Sequence, residues 1–357
     1  MTTTFSRTET KHSSLRLTLL LASALLLSGC TPEASRCSRP DYFCVGLVTQ
    51  AGRRDDHAYN QAAWEALQQA RAEGQADWIA SIETVDARDY GENIGVFVDA
   101  GYDLIVTVGS DMGEATRSLA AKYPYLYFVG VDQAQPAGGT LPNLAGIVFP
   151  EDQLGFLAGA LAAMMTRSGR VGAVLVSDAW PPARLYGDGF RAGTAYISPQ
   201  VEATVVYHDE VSLDKTFSDP AWGAAQSDAL LDAGADVIFA AEGTTGAQAL
   251  LTAARRRASV IGTDVDQFYA SPGAAPELLT STLKLVTPAV AGLIGVARQS
   301  QAREGLFPSG DYEGQVGLAP YHETAPTIPP KVMKRLSDLS QALSLGEVQT
   351  GLSNSNP

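Results

Sequence analysis

From residue 43 the chain alternates short apolar runs with longer amphipathic stretches. The run FCVGLVT (43–49) precedes NQAAWEALQQARAEG (60–74), where Ala63, Leu67 and Ala70 recur at helical spacing and Gly74 marks a stop. WIASIET (78–84) predicts a strand, DYGENIGVFVDAG (89–101) a helix, DLIVTVG (103–109) a strand, DMGEATRSLAAKYP (111–124) a helix and YLYFVGVD (125–132) a strand. A loop rich in proline and glycine follows over 133–143. The rhythm then resumes with the strand NLAGIVF, a long apolar helix over 151–169, the strand RVGAVLVSD and a helix over 184–197. VEATVVYH, DVIFAAEG, SVIGTDVD and LLTSTLKLV predict strands, with helices at 220–234, over TGAQALLTAARRR and at 288–303. Residues 312–323 read as a returning strand and loop, 331–346 as a helix, and 346–357 as a frayed tail.

Short buried strands alternating with helices predict parallel sheets covered on both faces. Two such series predict two doubly wound lobes, because about 300 residues exceed one ordinary core. The chain is 45% hydrophobic and 18% charged, a globular balance. No tandem repeat is visible.

The N-terminus has a different character. Arg7, Lys11 and Arg16 precede LRLTLLLASALLLSGC, an apolar run ending in small residues. Its core of roughly a dozen residues is shorter than the ~20 needed to span a bilayer as a helix. This is the layout of a secretory signal. Leu27-Ser28-Gly29-Cys30 resembles a bacterial lipobox, which implies a signal peptide over 1–29 and acylation of Cys30. Residues 30–42 then form a tether, and the mature chain is anchored by lipid alone. Loss of residues 1–29 takes three basic and one acidic residue from totals of 25 and 39, leaving 22 and 38 and a net charge of −16. Such a chain repels nucleic acid phosphates. Cys37 and Cys44 remain, and outside the cytoplasm a disulfide between them can persist. Sequence alone leaves that bridge open. Cys37 and Cys44 with four histidines give no zinc spacing, and no cofactor is expected.

In open α/β sheets ligands bind beyond the carboxyl ends of the strands. Those segments carry Asp55, Asp56, Tyr59, Asn60, Asp111, Asp132, Asp178, Trp180, Glu242, Asp264 and Asp266, with Arg53, Arg54 and Arg184 as cations. Acceptors dominate, which suits a neutral hydroxylated or amide-bearing ligand. Each residue also has a plainer reading. Asp56 can cap the helix beginning near Ala58, Asp132 can tie down a loop, and Phe239 lies in a buried strand. Trp180, beside two prolines, either lines a cleft or shapes a loop. Lys284 interrupts an apolar strand and needs an anionic partner, for which Asp266 is the expected one. A carboxylate at Asp266 suits a vicinal diol.

Six phrases carry a family resemblance. Asp56-His57-Ala58-Tyr59-Asn60-Gln61 resembles the D-x-S-F-N-Q segment of the basic membrane protein family, bacterial lipoproteins that include purine-nucleoside receptors of ABC transporters. Residues 143–176 are similar to that family's long central signature, and GDGFRAGTAYISPQV (187–201) to its G-F-x-A-G segment. GADVIFAAEGTTG (234–246), IGTDVDQ (261–267) and TSTLK (280–284) resemble three further segments, in family order. The resemblance implies a type I periplasmic-binding fold, two lobes joined by three crossovers. It places 43–145 plus 286–305 in the first lobe and 146–285 plus 306–345 in the second. It further implies that Asp56, Asn60 and Asp132 contact a nucleoside base, that Tyr59 and Phe239 or a neighbour stack on it, and that Asp266 and Lys284 hold the ribose. The implied partners are a nucleoside and the permease and ATPase subunits of a transporter, with the protein itself a monomer. Tyr59, His57, Ala58, Glu242 and the stretch 177–184 depart from the family pattern.

Enzyme signatures are mostly absent: there is no P-loop, no H-E-x-x-H and no G-x-S-x-G. The expectation is a binding protein and not an enzyme. A nucleoside or sugar hydrolase and a ligand-sensing signalling lipoprotein are the alternatives.

Overall fold

The chain builds its first sheet from β1 (Cys44–Val48), β2 (Trp78–Ile82), β3 (Leu104–Val108), β4 (Tyr127–Val131) and β5 (Leu144–Val148). Between them run α1 (Tyr59–Ala72), α2 (Tyr90–Asp99) and α3 (Gly113–Lys122). The second series is α4 (Glu151–Met165), β6 (Arg170–Leu175), α5 (Pro181–Ile197), β7 (Glu202–Tyr207), α6 (Pro220–Asp232), β8 (Val237–Ala240), α7 (Gly243–Arg255), β9 (Ser259–Asp264) and β10 (Leu278–Lys284). The chain ends with α8 (Val286–Gln301), β11 (Gly310–Glu313), β12 (Val316–Leu318) and α9 (Pro330–Ser344). This computed structural model describes residues 1–2, 37–39, 41–136, 139–301, 307 and 309–352. Cys30, nearly all of the expected signal segment and most of the tether lie outside the described residues.

The first sheet has the order β11-β5-β4-β3-β1-β2, with all pairings parallel. The second has the order β12-β10-β9-β8-β6-β7, parallel except for antiparallel β12. The chain crosses between sheets three times, at 149–150, at Leu285 and at 314–315. β1 and β3 are buried on both faces, which explains their unbroken apolar runs. Val286, Val290 and Ile294 of α8 join Phe43, Val45, Leu47 and Leu67 in one core, so α8 belongs to the first lobe.

Two boundaries differ from the sequence reading. Leu144–Val148 and Gly310–Glu313 both lie in the first sheet, with Gly310 opposite Ala145. The first lobe therefore extends past residue 145, and a part of 306–345 returns to it. A four-residue strand carries too little alternation to reveal its sheet. The tail reading also changes. Val348 packs against the second core and Thr350 donates to Asp152 at 2.6 Å, so 346–352 is held in place. A disulfide joins Cys37 to Cys44, with Cα atoms 5.6 Å apart. Among the described residues no helix is long and apolar enough to cross a membrane.

α4 and α5 approach unusually closely. A Cβ on Gly155 would lie 2.2 Å from the Tyr186 carbonyl oxygen, and one on Gly189 2.2 Å from that of Asp152. Backbone cannot yield as a side-chain tip can. Gly155→Ala should therefore lower stability by about 1–3 kcal/mol, the range for overpacking, measured by urea unfolding; an unchanged midpoint would show that the helices separate freely.

Candidate functional site

Strand ends from both lobes converge on one ammonium group. Lys284, the last residue of β10, is 2% exposed at its side chain. Its Nζ donates to both carboxylate oxygens of Asp132 at 3.1 Å and lies 2.8 Å from Oε1 of Glu151. Asp264 follows at 3.9 Å. Asp132 ends β4 of the first lobe; Glu151 opens α4 and Asp264 closes β9, both in the second. The Lys284–Asp132 pair therefore links the two lobes. Phe149, Tyr186 and Tyr59 surround the ammonium, with ring centres 5.5, 5.8 and 6.0 Å from Nζ.

The backbone at this point is unusual. Asp132, Glu242 and Asp264 have φ of 61°, 77° and 72°, each in the left-handed region at or just past the end of a strand. Aspartate tolerates that conformation better than most residues, glutamate less so. Such conformations persist where the surroundings enforce them and cluster at functional sites.

Burial and charge set the protonation behaviour. Burial raises Asp264, Glu151 and Glu242 above the usual carboxylate range, Glu242 strongly. Lys284 opposes the shift in all three. At Lys284 burial works to lower the pKa, but Asp132 and Glu151 outweigh it and hold the ammonium well above its ordinary value. Burial, with Asp264 beside them, also raises the Tyr59 and Tyr186 phenols. Tyr186 donates to Asp264. The Tyr59 hydroxyl is buried near Asp264 without a partner at hydrogen-bond geometry among the described residues.

A cavity of about 290 Å³ adjoins this cluster, lined by residues that include His57, Tyr59, Asp264, Asp266, Tyr269 and Lys284. It opens between α1 of the first lobe and the ends of β9 and β10 of the second. On the far side of the second lobe's strand ends, Trp180 and Phe217 meet edge to face at 5.0 Å, both half-buried. Among the described residues no three His, Cys, Asp or Glu side chains are grouped to hold a metal ion.

Residues 43–317 match the model of the family described as ABC transporter substrate-binding protein PnrA-like. The chain belongs to this PnrA-like family. It is 27% identical to a CD4+ T-cell-stimulating antigen of Listeria monocytogenes, over 94% of this chain and 97% of that protein. It is 26% identical to the ABC transporter nucleoside-binding protein BmpA of Lactococcus lactis, over 82% of this chain and 85% of that one. Among solved structures it resembles an ABC transporter solute-binding protein from Conexibacter woesei, with a TM-score of 0.65, 23% identity and coverage of 87% and 99%. The fold is that of the type I periplasmic binding proteins, as expected from the sequence.

Against the PnrA-like pattern, the structure sorts the expected residues. Asp132, Tyr59 and Lys284 meet at the cluster. Asp56 accepts from the amides of Ala58, Asn60 and Gln61, which fixes the first turn of α1. Asn60 is 1% exposed and ties down the preceding loop, accepting from the Gln50 amide and donating to the Gln50 and Arg53 carbonyls.

Two expectations are corrected. Phe239 does not offer a second ring: it is 0% exposed and stacked on Phe190 at 5.5 Å, because β8 is a central strand whose side chains fill the core. Asp266 is not the partner of Lys284. Its carboxylate caps the turn at Phe268 and meets His322 Nε2 at 2.7 Å, while Asp264, two residues earlier, turns toward the ammonium. Glu151 was missed because an acid in the first turn of a helix reads as a partner of the helix dipole. Tyr186 was missed because it lies within α5, and Phe149 because an apolar residue directly after β5 reads as the end of a buried strand.

Lys284→Met leaves the buried acids without their counter-charge. The raised folded-state values of Glu151 and Asp264 mean the native state takes up protons more readily than the unfolded chain, so stability from these groups falls as pH rises through those values. Without Lys284 the effect grows. The substitution should cost about 3–5 kcal/mol near pH 7.5 and clearly less near pH 5. Urea unfolding at both pH values checks this; an equal loss at both rules out the acid cluster as its origin.

Proposed function

We propose that this chain is a lipid-anchored, extracytoplasmic receptor that binds a nucleoside between its lobes and presents it to the permease of an ABC transporter. The observation that carries the reading is the interlobe cluster of Asp132, Glu151, Asp264 and Lys284 beside the Tyr59 ring. Carboxylates grip vicinal hydroxyls through charge-assisted bonds, which are roughly twice as strong as neutral ones. An aromatic face takes a planar base by offset stacking. Trp180 and Phe217 are the partly exposed rings that can serve the opposite face of the base, in place of Phe239. The nucleoside-binding relative from Lactococcus lactis supports the same ligand class. The receptor acts as a monomer and releases its ligand unchanged.

Purified residues 31–357 should bind a nucleoside one to one in titration calorimetry, with chromatography recovering it intact. Free base and sugar after incubation would move the reading to a hydrolase. Tyr59→Ala should weaken binding about tenfold, since a stacked ring contributes ~0.5–1.5 kcal/mol beyond its buried area. Tyr59→Phe keeps the ring and should bind within about threefold of wild type. Equal loss in both variants would shift the role from the ring to the hydroxyl.

The anchor rests on Cys30 and its preceding leucine-rich run. Cys30→Ala should release the protein from the membrane fraction, followed by immunoblot after a high-salt wash. Retention of the variant in that fraction would refute the lipid anchor.

A further inference from the structure

Glu242 is the buried acid that the cluster leaves unused. It lies two residues past the end of β8, and its backbone is left-handed with φ of 77°. Neither carboxylate oxygen meets a hydrogen-bond partner among the described residues, although the Val176 amide lies nearby. The charges that act on it are those of Asp264, Lys284 and Glu151, three of the four members of the interlobe cluster. The next residue is Gly243, itself left-handed at φ of 61° and pressed against the Phe217 carbonyl, where a Cβ would come within 2.1 Å. The turn is thus fixed from one side by glycine and occupied on the other by a residue poorly suited to it.

Three costs meet at this position. A glutamate in the left-handed region is strained. Its polar oxygens are buried without partners. Burial first, and the charge of Asp264 after it, raise its carboxyl well above the usual carboxylate range. A residue kept only for stability has no reason to carry all three, and glycine at the same place would carry none. Unsatisfied buried polar atoms at the edge of a ligand site are met when the ligand arrives.

We propose that Glu242 is a specificity-determining residue of the interlobe site, forming a hydrogen bond to a sugar hydroxyl of the bound nucleoside. This rests on the nucleoside reading above and adds to it. The hydroxyl assignment follows from the neighbours: the ammonium and carboxyls around Glu242 match closely spaced groups that both donate and accept, as a diol does. A base, by contrast, presents a flat face to rings. The carboxyl in its neutral form donates to the hydroxyl and accepts from it, so one side chain serves both lone pair and proton.

The experiment compares wild type, Glu242→Gly and Glu242→Gln for thermal stability without ligand and for affinity toward a ribonucleoside and its 2′- and 3′-deoxy forms. Glu242→Gly should raise the melting temperature by about 2–4 °C, weaken ribonucleoside binding at least about tenfold, and narrow the gap between the ribonucleoside and one deoxy form. Glu242→Gln, which still donates and accepts, should bind within about threefold of wild type. A Glu242→Gly protein that binds like wild type overturns the inference and leaves the nucleoside reading intact. Stability and affinity falling together mark Glu242 as structural and also overturn it. Wild type that binds no nucleoside overturns both readings.

Discussion

An ammonium cannot be buried alone. Taking the Lys284 charge from water into a low-dielectric interior costs several kcal/mol after relaxation, and at 2% exposure water recovers almost none of it. The compensation comes from Asp132 and Glu151 at 2.8–3.1 Å. Glu151 is in the same lobe as Lys284 and Asp132 follows a strand of the other sheet, so the full pairing forms only when the two lobes meet. The relative position of the lobes and the protonation of the site are thus one problem. Any ligand in the cleft must fit the geometry that this pairing imposes, or replace part of it.

The rest of the fold can be understood as the means of delivering those groups. Parallel sheets place strand ends on one side, and β4, β9 and β10 each contribute a charged residue there. Left-handed turns at Asp132 and Asp264 bring their carboxylates to the ammonium where an extended chain would continue past it. The glycine-mediated contact of α4 with α5 sets Glu151, in the first turn of α4, and Tyr186, in α5, close to the same point. Tyr186 then holds Asp264 by a hydrogen bond. The second core, with Phe190 and Phe239 stacked within it, gives these helices a rigid backing.

Strands and helices were legible because period and burial coincide: β1 and β3 are continuous apolar runs and α1 shows one stripe. The strand-end rule also pointed to Asp132, and the apolar strand around Lys284 to its need for an anion, without the structure. What remained hidden depended on one-residue distinctions. Asp264 and Asp266 are alike in sequence, yet a left-handed backbone at Asp264 separates their directions, and Asp266 finds His322, 56 residues later. The resemblance gives Phe239 a stacking role, but its place in a buried strand prevails and the pleat turns it into the core. The sheet membership of β11 depended on pairing with β5, a contact between residues 145 and 310 that local pattern does not encode.

The charge balance of the site bears on what the proposed receptor accepts. Asp132, Glu151 and Asp264 face one ammonium, and Glu242 is a further buried carboxyl that feels its charge. A ligand phosphate or carboxylate would add an anion to a region already short of cations, and at low effective dielectric such repulsion amounts to about 4 kcal/mol for a pair at 4 Å and ε near 20. The ammonium offers no relief, because it is already bound on two sides. A neutral ligand with hydroxyls avoids the penalty, since each hydroxyl donates to a carboxylate without adding an anion. In the proposed receptor, the same excess of acceptors would discriminate an uncharged, hydroxyl-bearing molecule from its phosphorylated counterpart.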